Sequence, residues 1–203
     1  ITRPSNILMG VDAGQCGAVV TFTAPVGTDN CPGVTTIQTS GLTSGSFFPM
    51  GTTIQSYEVT DDEGNVSICS FNILVEDDED PVLSCPATIV VSADPGQCNA
   101  VVTYTAPVGT DNCPGAVTIQ LSGLASGSVF PMGTTANTFE VTDDEGNSVI
   151  CSFNVIVEDN EAPALSCPAN VNVNTDPGAC SATVTYASPV GTDNCPGTTT
   201  IQT

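Results

Sequence analysis

The chain has 203 residues, and its single basic residue, Arg3, stands against 22 acids for a net charge of −21. Nucleic-acid affinity rests on Lys and Arg displacing counterions from phosphates, so this composition excludes a nucleic-acid interface and disfavours anionic membranes. With no His and no Lys, the chain also lacks a Ser–His or Ser–Lys pair for nucleophilic catalysis.

Acidic chains are often disordered, but 40% hydrophobic content rich in Val, Ile and Thr predicts a folded β protein. No run of about 18 apolar residues is present, so no segment reads as a membrane-spanning helix and no membrane insertion is expected. The N-terminus carries no basic segment followed by an apolar core, so any signal peptide is expected to be already absent. Ten cysteines without a His point to disulfides rather than zinc, and so to an extracellular or cell-surface location.

In chain order, the opening "ITRPSN" places Arg3 where later copies, "LSCPAT" and "LSCPAN", carry Cys85 and Cys167. "TAPVGTDNCPG" follows at 23–33 and returns unchanged at 105–115, and "SPVGTDNCPG" occupies 188–197. The cysteines repeat at intervals of 82: 16, 98, 180; 31, 113, 195; 69, 151; 85, 167. Residues 1–82 and 83–164 are therefore read as complete repeats, and 165–203 as the first part of a third. A half-repeat cannot close its own core, so its missing strands come from a longer array or from a neighbouring subunit.

Within the second repeat, "ATIVVSA" reads as a strand ending at the turn "DPG". "NAVVTYTAP" returns and "GTDNCPG" makes a loop; "AVTIQLSG" follows, then the Gly/Ser-rich stretch "SGSVFPMGTT". "NTFEVTD" leads through the tight turn "DEGN" into "SVICSFNVIVED", the longest strand. Short β-rich runs between Gly, Pro, Asn and Asp turns, without helical periodicity, predict an all-β fold of tandem small sandwiches. Units of this size are marginal alone, which suits disulfides.

The ordered set "SCPA", "DPGQC", "DNC", "FPMGTT", "EVTDDEGN" and "CSFNVIVED" resembles the hyalin repeat, or HYR domain, over essentially the whole chain. The resemblance implies an immunoglobulin-like β-sandwich occurring in tandem in extracellular proteins. It implies adhesive or structural roles, no catalytic residues, and an association with calcium.

Strand directions follow from the turns. The first and last strands run from the head of a repeat, where it begins, to its tail; the second runs back. The linker "VEDDEDP" (75–81) therefore leaves the first repeat's tail and meets the second repeat's head loops. This gathers Glu76, Asp77 and Asp78 with Asp111, Asn112, Asp143, Asp144 and Glu145, and likewise Glu158 and Asp159 with Asp193 and Asn194. Carboxylates and Asn carbonyls converging from linker and loops suit calcium, which takes six to eight oxygen ligands. The linker "EDNEAP" is also similar to calcium-binding linkers between cadherin domains. The alternative is that these are ordinary turn residues and a solvated charge run.

The same directions sort the cysteines. A strand of about eight residues separates head from tail by roughly 26 Å, whereas disulfide Cα atoms lie within about 7 Å. The expected pairs are Cys31–Cys69 and Cys113–Cys151 within repeats, and Cys16–Cys85 and Cys98–Cys167 between them. The competing scheme joins first and last strands through Cys85–Cys151. In the expected scheme Arg3 replaces a cysteine that has no preceding repeat to pair with, and its charge faces the acidic head loops.

Near-identical repeats give identical junctions, so the expectation is a non-enzymatic extracellular structural protein: a disulfide-stabilised rod, fibre or surface stalk that associates with itself or with adjacent repeats. The alternative is an adhesion module that binds surface glycans or matrix proteins. Asn65-Val66-Ser67 is an N-glycosylation sequon.

Overall fold

A computed structural model describes residues 1–203. It is all-β. The first repeat carries β1 (Ile7–Gly10), β2 (Gly17–Val20), β3 (Thr35–Ser40), β4 (Ser46–Pro49), β5 (Gly51–Thr60) and β6 (Val66–Glu76). The second carries the equivalents β7 (Ile89–Ser92), β8 (Asn99–Val102), β9 (Val117–Ser122), β10 (Ser128–Pro131), β11 (Gly133–Thr142) and β12 (Ser148–Glu158). Each set forms a four-stranded sheet, ordered β1-β6-β5-β3 or β7-β12-β11-β9, with a two-stranded sheet, β2-β4 or β8-β10. This is an immunoglobulin-like sandwich.

By compactness the chain divides into a unit of Ile1–Ser84, Val108–Ile119 and Glu140–Ile150, and a unit of Cys85–Pro107, Gln120–Phe139 and Cys151–Thr203. The first unit thus includes the "GTDNCPG" loop and "DDEGN" turn of the second repeat. Residues 165–203 form turns and one bridge, Ala164 with Thr192, but no strand.

Strand alternation builds the first core. Side chains of one phase along β5 and β6 point inward, burying Tyr57, Cys69, Phe71, Ile73 and Val75 against Ala18, Val20 and Phe48. Phe22 meets Phe71 edge-on at 5.4 Å, and Tyr57 stacks on it at 6.3 Å. Burying each such ring contributes about 2–3 kcal/mol. In the second unit Tyr104, Phe139 and Phe153 repeat this arrangement.

The Gly/Ser-rich stretch is more ordered than its composition predicts. It contains β10, which pairs antiparallel with β8, and Phe130 within it is fully buried. Only one residue, Met50, separates β4 from β5, yet these strands lie in different sheets. Gly51, at φ 99°, makes that change of direction in a backbone region other residues rarely adopt.

The first and last strands of each repeat pair in parallel, with Ile7 opposite Ile73 and Ile89 opposite Val155. Both pairs are 66 residues apart (73 − 7 and 155 − 89). Extending that register toward the head puts Cys85 beside Cys151, and these form a disulfide with Cα atoms 5.7 Å apart and a separation of 66.

The remaining disulfides are Cys16–Cys113 and Cys98–Cys195, each with Cα atoms 4.8 Å apart, while Cys31, Cys69, Cys167 and Cys180 are free thiols. The expected pairs Cys31–Cys69, Cys113–Cys151, Cys16–Cys85 and Cys98–Cys167 are therefore corrected. The parallel register commits Cys85 to Cys151, which removes it as a partner for Cys16 and removes Cys151 as a partner for Cys113. Each tail cysteine bonds instead to the Asp-Asn-Cys loop 97 residues further on. Arg3, 66 residues before Cys69 (69 − 3), occupies the missing partner's position and leaves Cys69 buried and unpaired. The Arg3 guanidinium donates to Asn6 Oδ1 at 3.3 Å rather than to the acidic loops.

Candidate metal centre at the repeat junction

The linker after β6 is fixed to the second repeat's first loop by a two-way backbone bridge: Val82 N to Thr110 O at 2.7 Å and Thr110 N to Val82 O at 3.0 Å. Cys16–Cys113 closes the same loop onto the "DAGQC" turn of the first repeat. Between these ties lies Asp77, only 5% exposed. It continues the inward phase of β6 beyond Phe71, Ile73 and Val75, which buries a carboxylate where the strand pattern would place an apolar side chain.

The Asp77 oxygens are unequally satisfied. Oδ1 accepts from Glu79 N at 3.1 Å and Asn112 Nδ2 at 3.4 Å, and the main-chain carbonyl accepts from Asn147 Nδ2 at 3.3 Å. Oδ2 is buried and has no partner. Asp111 Oδ2 accepts from Cys113 N at 2.9 Å, while its buried Oδ1 has none. Asn112 donates to Gln15 O at 2.9 Å, which leaves its own buried Oδ1 unpartnered. A buried acceptor without a donor costs about 1–3 kcal/mol, so the three within this loop–linker contact are open to water or to a cation.

Two further acids complete the cluster. Carboxylate oxygens of Asp77, Asp143 and Glu145 lie within 4.8 Å of one another, as do single ligand atoms of Asp77, Asp111 and Cys113. The Cys113 sulfur is committed to its disulfide, so the donor set is all oxygen. Burial opposes ionisation of Asp143, but hydrogen bonds from the Asn147 side chain and the Gly146 and Asn147 amides outweigh it and hold the carboxyl below its ordinary value. Desolvation, followed by repulsion from Asp143, Asp77 and Asp144, pushes Glu145 up. Asp77 and Glu145 also line a surface recess with Met50, Gly51 and Glu76. Clustered carboxylates, an amide carbonyl and no available nitrogen or sulfur fit a hard cation of calcium type.

Of the residues gathered from sequence, the structure brings Asp77, Asp111, Asn112, Asp143 and Glu145 together. Glu76 and Asp78, on either side of Asp77, are exposed; Asp78 lies against Gly10. Asp144 is exposed and lies beside Gly115. In the second unit Asn194 donates to Gln97 O at 2.8 Å, Asp193 accepts from Cys195 N at 2.9 Å, and Asn194 Oδ1 is again buried and unpartnered. Asp159 and Glu158 are exposed there. Asn65 sits on an exposed turn, and its side chain donates to Asp61 Oδ2 at 2.7 Å.

Residues 1–75 and 76–157 each match the profile of the HYR domain. The chain is 33% identical to hyalin of Strongylocentrotus purpuratus over 89% of its length, and 30% identical to hyalin of Lytechinus variegatus over 96%. It is 28% identical over 84% of its length to the sushi, von Willebrand factor type A, EGF and pentraxin domain-containing protein 1 of Rattus norvegicus. It spans 15%, 38% and 5% of these relatives' own lengths, respectively. Among solved structures it is similar to Drosophila N-cadherin EC1-3, at 16% identity and TM-score 0.43, covering 80% of this chain and 66% of that one.

Proposed function

The chain belongs to the HYR domain family, and from that premise we propose that it is a structural segment of an extracellular fibre or surface stalk. Repeats 1–82, 83–164 and the beginning of a third at 165–203 serve as its building blocks. The observation that carries this reading is the junction chemistry. A tail cysteine is bonded to the next Asp-Asn-Cys loop at Cys16–Cys113 and again at Cys98–Cys195. A chain joined this way is covalently continuous through its cross-links as well as its backbone. Disulfides of this number also support an oxidising, extracellular setting.

Calcium is the second element of the proposal. Asp77, Asp111, Asn112, Asp143 and Glu145 hold the ion, which neutralises charge that otherwise drives linker and loops apart. Asp159, Asp193 and Asn194 contribute a less complete set at the next junction. Asn65, on its exposed turn, is the one proposed N-glycan site.

Electron microscopy of purified protein with and without a calcium chelator tests the reading. Fibres with an axial period of one repeat that loosen on chelation support it. Compact particles indifferent to calcium overturn it.

A further inference from the structure

The Cys16–Cys113 disulfide and the proposed cation cluster share one loop. One ligand atom from each of Asp77, Asp111 and Cys113 lies within 4.8 Å of the other two, and for Cys113 that atom is the disulfide sulfur. We propose that the bond and the ion are coupled: the disulfide positions the calcium ligands, so reducing it weakens calcium binding, and bound calcium keeps it oxidised. This rests on the calcium reading above and deepens it by naming what regulates that site.

The coupling runs through the turn that carries Cys16. Three consecutive residues of this turn are tied to the linker or to the second repeat's loop. Gly14 N donates to Glu79 Oε2 at 2.8 Å, Gln15 O accepts from Asn112 Nδ2 at 2.9 Å, and Cys16 is bonded to Cys113. The same three ties recur 82 residues on. Gly96 N donates to Glu161 Oε2 at 2.9 Å, Gln97 O accepts from Asn194 Nδ2 at 2.8 Å, and Cys98 is bonded to Cys195. The two hydrogen bonds to the Cys16 turn are solvent-exposed, and each contributes only about 1 kcal/mol. The covalent bond is therefore what holds the turn against the loop.

Two ligands depend on that turn. Asn112 Nδ2 sits between two acceptors, Gln15 O and Asp77 Oδ1, so a flipped amide would set its oxygen against both. The turn thus fixes the direction of the amide and leaves Asn112 Oδ1 without a donor, as a cation ligand requires. Glu79 serves the second ligand. While its carboxylate grips Gly14, its main-chain N–H donates to Asp77 Oδ1 at 3.1 Å. With the disulfide open, Asn112 and Asp77 lose the fixed neighbours that orient them.

Reduction takes a dithiol such as dithiothreitol. One of its thiolates attacks a sulfur of the pair, forming a mixed disulfide and releasing the other cysteine as a thiolate. The second thiolate then attacks the dithiol's own bonded sulfur, closing a ring and releasing the first cysteine. One protein disulfide becomes two thiols, the dithiol becomes a cyclic disulfide, and its protons pass to the released thiolates or to solvent. Linkage is reciprocal, so the factor by which reduction weakens calcium equals the factor by which calcium shifts the reduction equilibrium.

The test has two arms on the 203-residue chain. Isothermal titration compares calcium binding by the unsubstituted chain with binding by Cys16→Ser with Cys113→Ser, which keeps Cys85–Cys151 and Cys98–Cys195. Binding about tenfold weaker is expected in the double variant. The second arm needs no substitution and decides the matter if that variant does not fold. The chain is equilibrated with mixtures of reduced and oxidised dithiothreitol, in calcium or in chelator. Thiols are then alkylated, and the Cys16 and Cys113 peptides are quantified by mass spectrometry. Calcium is expected to raise the dithiothreitol ratio at half-reduction by the same factor, and Asp77→Asn to abolish the shift. A shift that persists in Asp77→Asn, or that Cys85–Cys151 shares in full, overturns the proposal. Equal calcium affinity in the double variant, or a half-reduction point indifferent to calcium, overturns the coupling and leaves the calcium reading standing. Absence of calcium binding by the unsubstituted chain overturns both.

Discussion

The first and second heads are built from the same words and end in different states. "TAPVGTDNCPG" and "VTDDEGN" supply both. Yet Cys31, Asp29 and Asn30 are exposed in the first, while Cys113 is buried and Asp111 and Asn112 are half-buried in the second. The Asp-Asn-Cys loop holds its shape in both, since the cysteine amide bonds the aspartate each time. What the second head has in addition is Asp77 from the linker and Cys16 from the preceding tail. The loop is thus preformed, and the preceding repeat covers it to make a junction.

The largest way to break the comparison is to remove the covalent tie. Cys16→Ser with Cys113→Ser, leaving no orphan thiol, is expected to lower stability by about 4 kcal/mol in denaturant unfolding, from the cross-link's long loop. The opposite change sharpens it: Arg3→Cys places a cysteine 66 residues before Cys69, the spacing at which Cys85 bonds Cys151. The new disulfide is expected to stabilise the first repeat by about 3 kcal/mol under oxidising conditions and by nothing after reduction.

Asp77→Asn comes next. With calcium at about a hundred times its dissociation constant, the unsubstituted chain gains about 2.7 kcal/mol; Asp77→Asn loses this gain, and Asp29→Asn in the first head keeps it. Thermal melts with and without calcium read the difference.

The smallest effect is electrostatic. The folded-state pKa of Glu145 is raised, so the folded protein holds its proton more tightly and, without metal, stability falls as pH rises through that raised value. Asp143, with a lowered pKa, has the opposite sign: its contribution is present above the ordinary value of 3.8 and is lost as pH falls through the folded value. Glu145→Gln is therefore expected to stabilise the metal-free protein at neutral pH while weakening calcium's effect, and Glu63→Gln to leave calcium's effect unchanged. Melts in chelator across roughly pH 3 to 7, where carboxylates titrate, check the metal-free effect, and melts with added calcium at neutral pH check the rest.

Much of this was legible from spacing alone. An interval of 82 located the repeats, and turn chemistry located the loops. Following strand direction brought Asp77, Asp111, Asn112 and Asp143 to one junction. The period-2 phase of β6 could have selected Asp77 over Glu76 and Asp78, since it continues Phe71, Ile73 and Val75. The disulfides were not legible in the same way. First and last strands running in one direction allow parallel pairing but do not dictate it, and only the register of Ile89 with Val155 fixes the 66-residue bond. For Cys98, both Cys167 and Cys195 belong to the following head, and strand direction does not choose between them. β10 was hidden because Gly, Ser and Pro mask a short strand whose one decisive residue is the buried Phe130.

Isothermal titration of calcium into the unsubstituted chain, Asp77→Asn and Asp29→Asn tests the central claim most directly. If the preceding linker makes the site, binding at the first junction disappears in Asp77→Asn and is unchanged in Asp29→Asn. Equal binding by Asp77→Asn, or its loss in Asp29→Asn, would contradict the account.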